Sequence, residues 1–403
     1  MTDAAEQRLL QSSENPPAQP SYVLRGHSAQ VHAVHFYRGN TRLVTGDADG
    51  WIVIWSLSSK RAVAIWKAHT NTVLGVGNWG DDKIITHGRD SRIHTWQIRA
   101  EDENGYFTNL PIDSNDDSPQ HKQPWLLHSL PVNALNFCSF TMIKTLEEGT
   151  HDLPTEGILL GTPGFQDGSI NITSLPEENR IATIPKPAHV ENAGMIMAIG
   201  LVFSSQHSSG KSKDLLILAG YESGHACIWT QPLPSKKAWQ CVYTCKSHSQ
   251  PILSLDIARS TGVFYTSGAD AIIARHPLPT SAVEAKTLQT RHAGQQGLTV
   301  RNDEKIVATA GWDGRMRVYS TKGFKELAVL KWHKEGCYAI AFADVLDAQE
   351  GTDHVEGQDG DGQGLVKKES RITVVQRREA KARTTHWLAA GSKDGKVSLW
   401  DIY

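Results

Sequence analysis

Apolar and polar residues alternate in short runs along most of this chain, and one arrangement keeps returning. Residues 43–55 read LVTGDADGWIVIW: an apolar run, a small polar hinge holding Asp, then alternating apolar residues that end in an aromatic. The same order appears at 84–96 (IITHGRDSRIHTW), 307–319 (VATAGWDGRMRVY) and 388–400 (LAAGSKDGKVSLW). Period-two alternation rich in Val, Ile, Thr and Trp predicts strands, and helix-length amphipathic stretches are absent. Asp49-Gly50 predicts a hairpin turn, because both residues tolerate a positive φ. The first unit therefore reads as four strands, at 22–24, 31–36, 42–45 and 51–55.

The spacing inside each unit is regular. Asp49 precedes Trp55 by six residues, as Asp90 precedes Trp96, Asp313 precedes Tyr319 and Asp394 precedes Trp400. Three degenerate copies keep that interval: Asp167 to Thr173, Ser223 to Trp229, and Asp270 to His276. A histidine stands 21 or 22 residues ahead of the Asp in the compact copies: His27, His69, His248 and His292. His128, His189 and His333 are the expected counterparts where insertions intervene. A period of about 42 residues marks a repeat architecture, in which small sheets share cores with their neighbours. Seven copies predict seven sheets.

These units resemble the WD-repeat pattern, with Trp400-Asp401 as the one literal Trp-Asp dipeptide. The resemblance implies an all-β fold, a seven-bladed WD-repeat β-propeller spanning 21–403. It also implies a buried hydrogen-bonded chain of His, hydroxyl, Asp and Trp within a blade. Such a network is stable only when every member is paired. The residues expected to form it are His27, Thr45, Asp49 and Trp55 in blade one, and His69, Thr86, Asp90 and Trp96 in blade two. Blade six offers His292, Thr309 and Asp313, with Tyr319 for Trp. Blade seven offers His333, Asp394 and Trp400, with Ala390 at the hydroxyl position. The third strand of blade seven ends the repeat, so the strand at 22–24 is expected to pair beside it and close the ring, covering an open edge. Residues 1–20, with three prolines, read as a disordered leader.

Four insertions interrupt the repeats, at 99–124, 141–155, 204–213 and 344–385. Each follows a first or third strand, which places all four on one face, opposite the His and Asp turns. That face is either simply where folding tolerates insertions or a docking surface. Residues 344–361 are acidic and Gly-rich and 367–383 are basic, which reads as a self-neutralising solvated loop or an import signal.

Composition narrows the function. A net charge of −2 argues against direct nucleic-acid binding, which takes a basic excess. No apolar run is long enough to span a membrane. Five scattered cysteines suit buried, reduced thiols, and Cys241 with Cys245 lacks a second ligand pair for zinc. No phosphate-binding, nucleophile-elbow or HExxH motif is present, so no catalytic residue, metal or cofactor is expected.

The segments YVLRG (22–26) with VHAVHF (31–36), LAGYE (218–222), ATAGWD (308–313), and AAGSKD (389–394) running to SLW (398–400) are more particular than the repeat pattern. They resemble the fungal ASTRA-associated protein 1 family, related to G-protein β-subunit-like WD-repeat proteins. The resemblance implies a non-catalytic scaffold subunit of the ASTRA complex, linked to chromatin remodelling and to maturation of phosphatidylinositol-3-kinase-related kinases. Its implied partners are other ASTRA subunits, large helical-repeat proteins and kinase-maturation co-chaperones, bound by one copy of the chain. Its implied location is the nucleus, with the cytoplasm as a second site. The alternative is a module that reads a peptide or histone tail through the propeller channel.

Overall fold

The computed structural model describes residues 18–112, 122–133, 137–145, 157–204, 214–231, 238–279, 281–346 and 373–402. Within these, seven four-stranded antiparallel sheets follow one another along the chain. Blade one comprises Val31–Tyr37, Arg42–Asp47, Trp51–Ser56 and Arg61–Lys67, ordered from inner to outer strand. The next five blades repeat that order. Blade seven has only three strands of its own region, Cys337–Phe342, Trp387–Ser392 and Lys396–Asp401. Its outer strand is Tyr22–Arg25, in the register Tyr22 to Leu399, Val23 to Ser398, Leu24 to Val397 and Arg25 to Lys396. The ring thus closes as the sequence predicts, with Leu24 almost wholly buried.

Alternation along each strand sends residues to both faces of its sheet, and both faces meet a neighbouring sheet. Seven apolar clusters result, each shared by two consecutive blades. The one between blades seven and one holds Leu24, Val31, Leu43, Val397 and Leu399. This is why the strands read as near-continuous apolar runs rather than as one-sided ones. Tight turns bring blades together at the backbone. At Gly50, with φ +87°, a Cβ would lie 1.9 Å from the His69 carbonyl oxygen, so only glycine fits.

Two expectations about the insertions change. Thr141–Lys144, read as the start of an insertion, is the inner strand of blade three and pairs with Ile158–Pro163. The 344–385 insertion ends in a helix, Val374–Thr384, where no helix was expected. Its start is set by a capping box: Thr373 accepts from the Gln376 amide, and Gln376 returns to the Thr373 amide. The hydrophobic pattern does not show it because Ala382 is its one buried residue. A short 3-10 helix, Ala100–Gly105, opens the 99–124 insertion. The expected leader falls outside the described residues through position 17, as do 146–156, 205–213 and 347–372.

Candidate functional site

The polar residues singled out by spacing are placed by hairpins inside the blades. In blade two, the Trp96 indole N–H donates to Thr86 Oγ1 at 2.9 Å. Thr86 Oγ1 lies 2.8 Å from His69 Nε2, and His69 Nδ1 lies 3.0 Å from Asp90 Oδ1. With the proton on Nδ1, every donor in this chain meets an acceptor. Burial works against the Asp90 carboxylate, but His69 and the Thr70 amide hold it down at about 2.

Blade one is wired differently from the sequence expectation. His27, Thr45 and Trp55 are joined, at 2.7 Å and 2.9 Å, but the carboxylate is Asp47 and not Asp49. Asp47 Oδ2 is 2.7 Å from His27 Nδ1, and its Oδ1 accepts the amides of Asp49 and Trp51. Asp49 is exposed. The reason is local space. Position 47 corresponds to Gly88 of blade two, where a Cβ would lie 2.2 Å from His69 Nδ1 and 2.6 Å from Asp90 Oδ1. Only one of the two positions can hold the histidine's partner, and blade one uses the earlier one.

Blade six loses the histidine. Thr309 donates to Gln295 Oε1 at 2.6 Å, and Asp313 pairs with the fully buried Arg317 at 2.6 Å. His292 takes part through its backbone: its carbonyl accepts from the Gln295 amide nitrogen and the Thr290 hydroxyl, and its N–H donates to Thr290 Oγ1. Arg317 projects into the space a histidine would fill, so His292 is a correction to the expected set. In blade seven, His333 sits 3.4 Å from Asp394, but the hydroxyl comes from Ser398 rather than position 390. Ser398 accepts from the Trp400 indole at 2.9 Å, one strand across from Ala390.

Blade five, read as degenerate, carries a full network. His248 Nδ1 is 2.9 Å from Asp270, its Nε2 is 2.9 Å from Thr266, and His276 Nε2 replaces the indole N–H at 3.0 Å. The Tyr243 hydroxyl satisfies the other ring nitrogen at 3.0 Å. Burial, reinforced by His248, pulls the His276 imidazole down to about 3, so it stays neutral. The interval from His248 to Asp270 was the available signal. His128 and His189 stand elsewhere: His128 lies on the outer strand Trp125–Pro131 against Glu178, and His189 bonds Thr244. These polar groups hold hairpins in place. Among the described residues no group of three or more His, Cys, Asp or Glu is arranged to hold a metal.

The elaborated face is the other place where polar residues converge, and its anchors were not found by spacing. They stand at the turn between the first two strands of blade one. Asn40, at φ +63° and almost wholly buried, donates to the carbonyls of Asp344 and Arg383 and accepts the Asp344 amide at 2.9 Å. One amide side chain therefore ties both ends of the blade-seven insertion. Glu103, from the 3-10 helix, is buried between Arg38 and Arg42, with Arg42 Nη2 at 2.7 Å. Burial and the Glu103 carboxylate act on the Arg42 guanidinium in opposite senses, and the carboxylate prevails to raise it. Beyond Glu103 the chain crosses the rim of blade one as a strap: the Ile112 amide donates to the Gly26 carbonyl at 2.9 Å, and Leu110 packs on Gly26. An insertion of blade two thus reaches the seam between blades seven and one.

Seven radial sheets, a ring closed by a strand from the opposite end of the repeat, and indole–hydroxyl–imidazole–carboxylate chains define a WD-repeat β-propeller. The WD domain, G-beta repeat family matches residues 18–56 and 381–401, the two stretches that meet at the closing seam. Over 429 aligned residues the chain is 43% identical to ASTRA-associated protein 1 of Aspergillus flavus, covering 96% of this chain and 98% of that one. It is 44% identical to ASTRA-associated protein 1 of Aspergillus niger, with the same coverage. For the Schizosaccharomyces pombe protein of that name the identity is 34%, covering 80% of this chain and 93% of the relative. The chain belongs to the ASTRA-associated protein 1 family.

Proposed function

We propose that the chain is a non-catalytic scaffold subunit of the ASTRA complex, acting in the nucleus in chromatin remodelling and in maturation of phosphatidylinositol-3-kinase-related kinases. The observation that carries the scaffold reading is the elaborated face. The described ends of two of its insertions, 99–124 and 344–385, are fixed to the ring by buried polar anchors, Glu103 with its arginines and Asn40. Rigid elements hold a partner surface with less entropy loss on binding than free loops do. The polar clusters inside the blades are each occupied in bonding one another, which leaves them with no catalytic task.

The test is purification of the tagged chain from fungal cells, followed by mass spectrometry. Large helical-repeat ASTRA subunits should co-purify in stable ratio. Arg377→Glu with Arg378→Glu, both exposed on the insertion helix, should reduce their recovery. Lys393→Glu, exposed on the opposite face, should not. Recovery unchanged by the helix variant and lost with Lys393→Glu would favour peptide reading on the other face instead. Depletion of the chain should also lower the steady-state level of the related kinases; unchanged levels would remove that part of the proposal.

A further inference from the structure

Two cavities on the elaborated side differ in charge. The first, about 620 Å3, lies between the 3-10 helix and the insertion helix, where four arginines face four carboxylates. It is balanced and favours neither sign. The second, about 640 Å3, opens between the ring-closing strand Tyr22–Arg25 and the start of the outer strand Arg61–Lys67 of blade one. The strap covers it at Thr108 and Leu110. Among the described residues its ionic lining is Arg25, Lys60 and Arg61, with no carboxylate. Its accessible apolar lining is Tyr22, Val23, Ala62 and Leu110, with Leu24 and Trp55 buried beneath.

Two of the three cations have aromatic neighbours in place of carboxylate partners. Lys60 Nζ stands 4.0 Å from the centre of the Trp387 ring, and the Arg25 guanidinium 5.8 Å from that of Trp332. Among the described residues none of the three forms an ion pair with a carboxylate. Burial, and then the nearby Lys381 ammonium, bring the Lys60 amine down to about 8. Positive charge is therefore gathered here against its own repulsion, beside an apolar floor. Both bordering strands are sheet edges, each with one side free of a strand partner.

We propose that this cavity is a docking groove for an acidic peptide segment of a partner protein, with an apolar side chain over Tyr22, Ala62 and Leu110 and flanking carboxylates on Arg25, Lys60 and Arg61. An extended segment suits the site because a strand edge supplies main-chain partners while alternate side chains enter the pocket. The charge complementarity sets register and partner choice. The proposal does not depend on ASTRA membership, since it is tested on the purified full chain alone.

The probe is a fluorescein-labelled decapeptide of alternating Glu and Leu, followed by fluorescence anisotropy. Two comparison peptides replace Glu by Gln, or Leu by Ser. Each replacement should weaken binding by roughly tenfold or more. Arg25→Glu with Arg61→Glu should do the same, whereas Lys246→Glu with Lys286→Glu, on the outer strands of blades four and five, should change it by less than about twofold. Arg61→Glu alone, at an exposed position, keeps the test readable if the double variant melts early. Absence of binding by the Glu/Leu peptide, equal binding of the Gln peptide, or indifference to the Arg61 reversal overturns the proposal.

Discussion

A histidine held between a carboxylate and a hydroxyl uses both ring nitrogens. That requirement fixes what single substitutions do here. In blade one the partner is Asp47, so Asp47→Ala should cost about 2–3 kcal/mol by leaving His27 and two amides unpaired. Asp49→Ala, at an exposed turn, should stay within about 0.5 kcal/mol. Urea melts of both variants check this, and equal losses would contradict it. Acid acts on the same chemistry. Burial keeps His276 and His87 at about 3, against an ordinary value of 6.5. The unfolded chain therefore takes up protons first, and stability present above pH 6.5 falls as the pH drops toward 3. At pH 5 the loss should be about 2 kcal/mol for each histidine. Melting curves at pH 7 and pH 5 should show it, with a smaller difference in His276→Trp; a flat or rising melting temperature on acidification would refute it. At this scale the sequence showed which residue types recur but not which pair. Asp47 and Asp49 both lie near His27, and only the space around the equivalent glycine of blade two decides between them. Ser398 was hidden for a related reason: a hydroxyl on the neighbouring strand can reach the same point, and linear spacing does not register that.

Whole elements stay in place on the elaborated face through very few contacts. The insertion helix buries one residue, so its position depends on the polar groups at its base. Asn40→Ala removes three hydrogen bonds to the insertion ends and places a less suited residue at φ +63°. Hydrogen exchange should show faster amide exchange across 374–384, with the inner strands unchanged; unchanged helix protection would contradict the clamp. Glu103→Ala leaves two arginines in a buried site without their carboxylate and should cost about 3 kcal/mol. A chemical melt that moved by less than 1 kcal/mol would show the pair to be dispensable. Elements with strong period-two alternation were legible from sequence, down to the three inner strands of blade one and the closing strand, but its outer strand Arg61–Lys67 was not. The helix was not, because its stabilisation comes from a capping box and an asparagine on another blade. Thr141–Lys144 was missed because a four-residue strand carries too little pattern to stand out.

The molecule as a whole follows from sheets that are apolar on both faces. Such sheets bury themselves only against copies of themselves, and a ring with a full complement leaves no face open. That much was legible as seven equal intervals, four of them from Asp to Trp or Tyr and three degenerate. The ring's weak point is the seam, where Tyr22–Arg25 completes a sheet by pairing with residues 371 to 377 positions further along the chain. The same seam carries the strap from blade two and the cationic groove. Burial of Leu24 and the strand ladder together contribute about 4 kcal/mol.

Calorimetry on two truncations tests this closure directly. Removal of residues 1–19 spares the strand and should leave the melting temperature where it is in the full chain. Removal of 1–25 should lower it by roughly 5 °C or more, with amides of Lys396–Asp401 becoming open to exchange. Equal melting temperatures for the two, with those amides still protected, would contradict a ring held shut by its first strand.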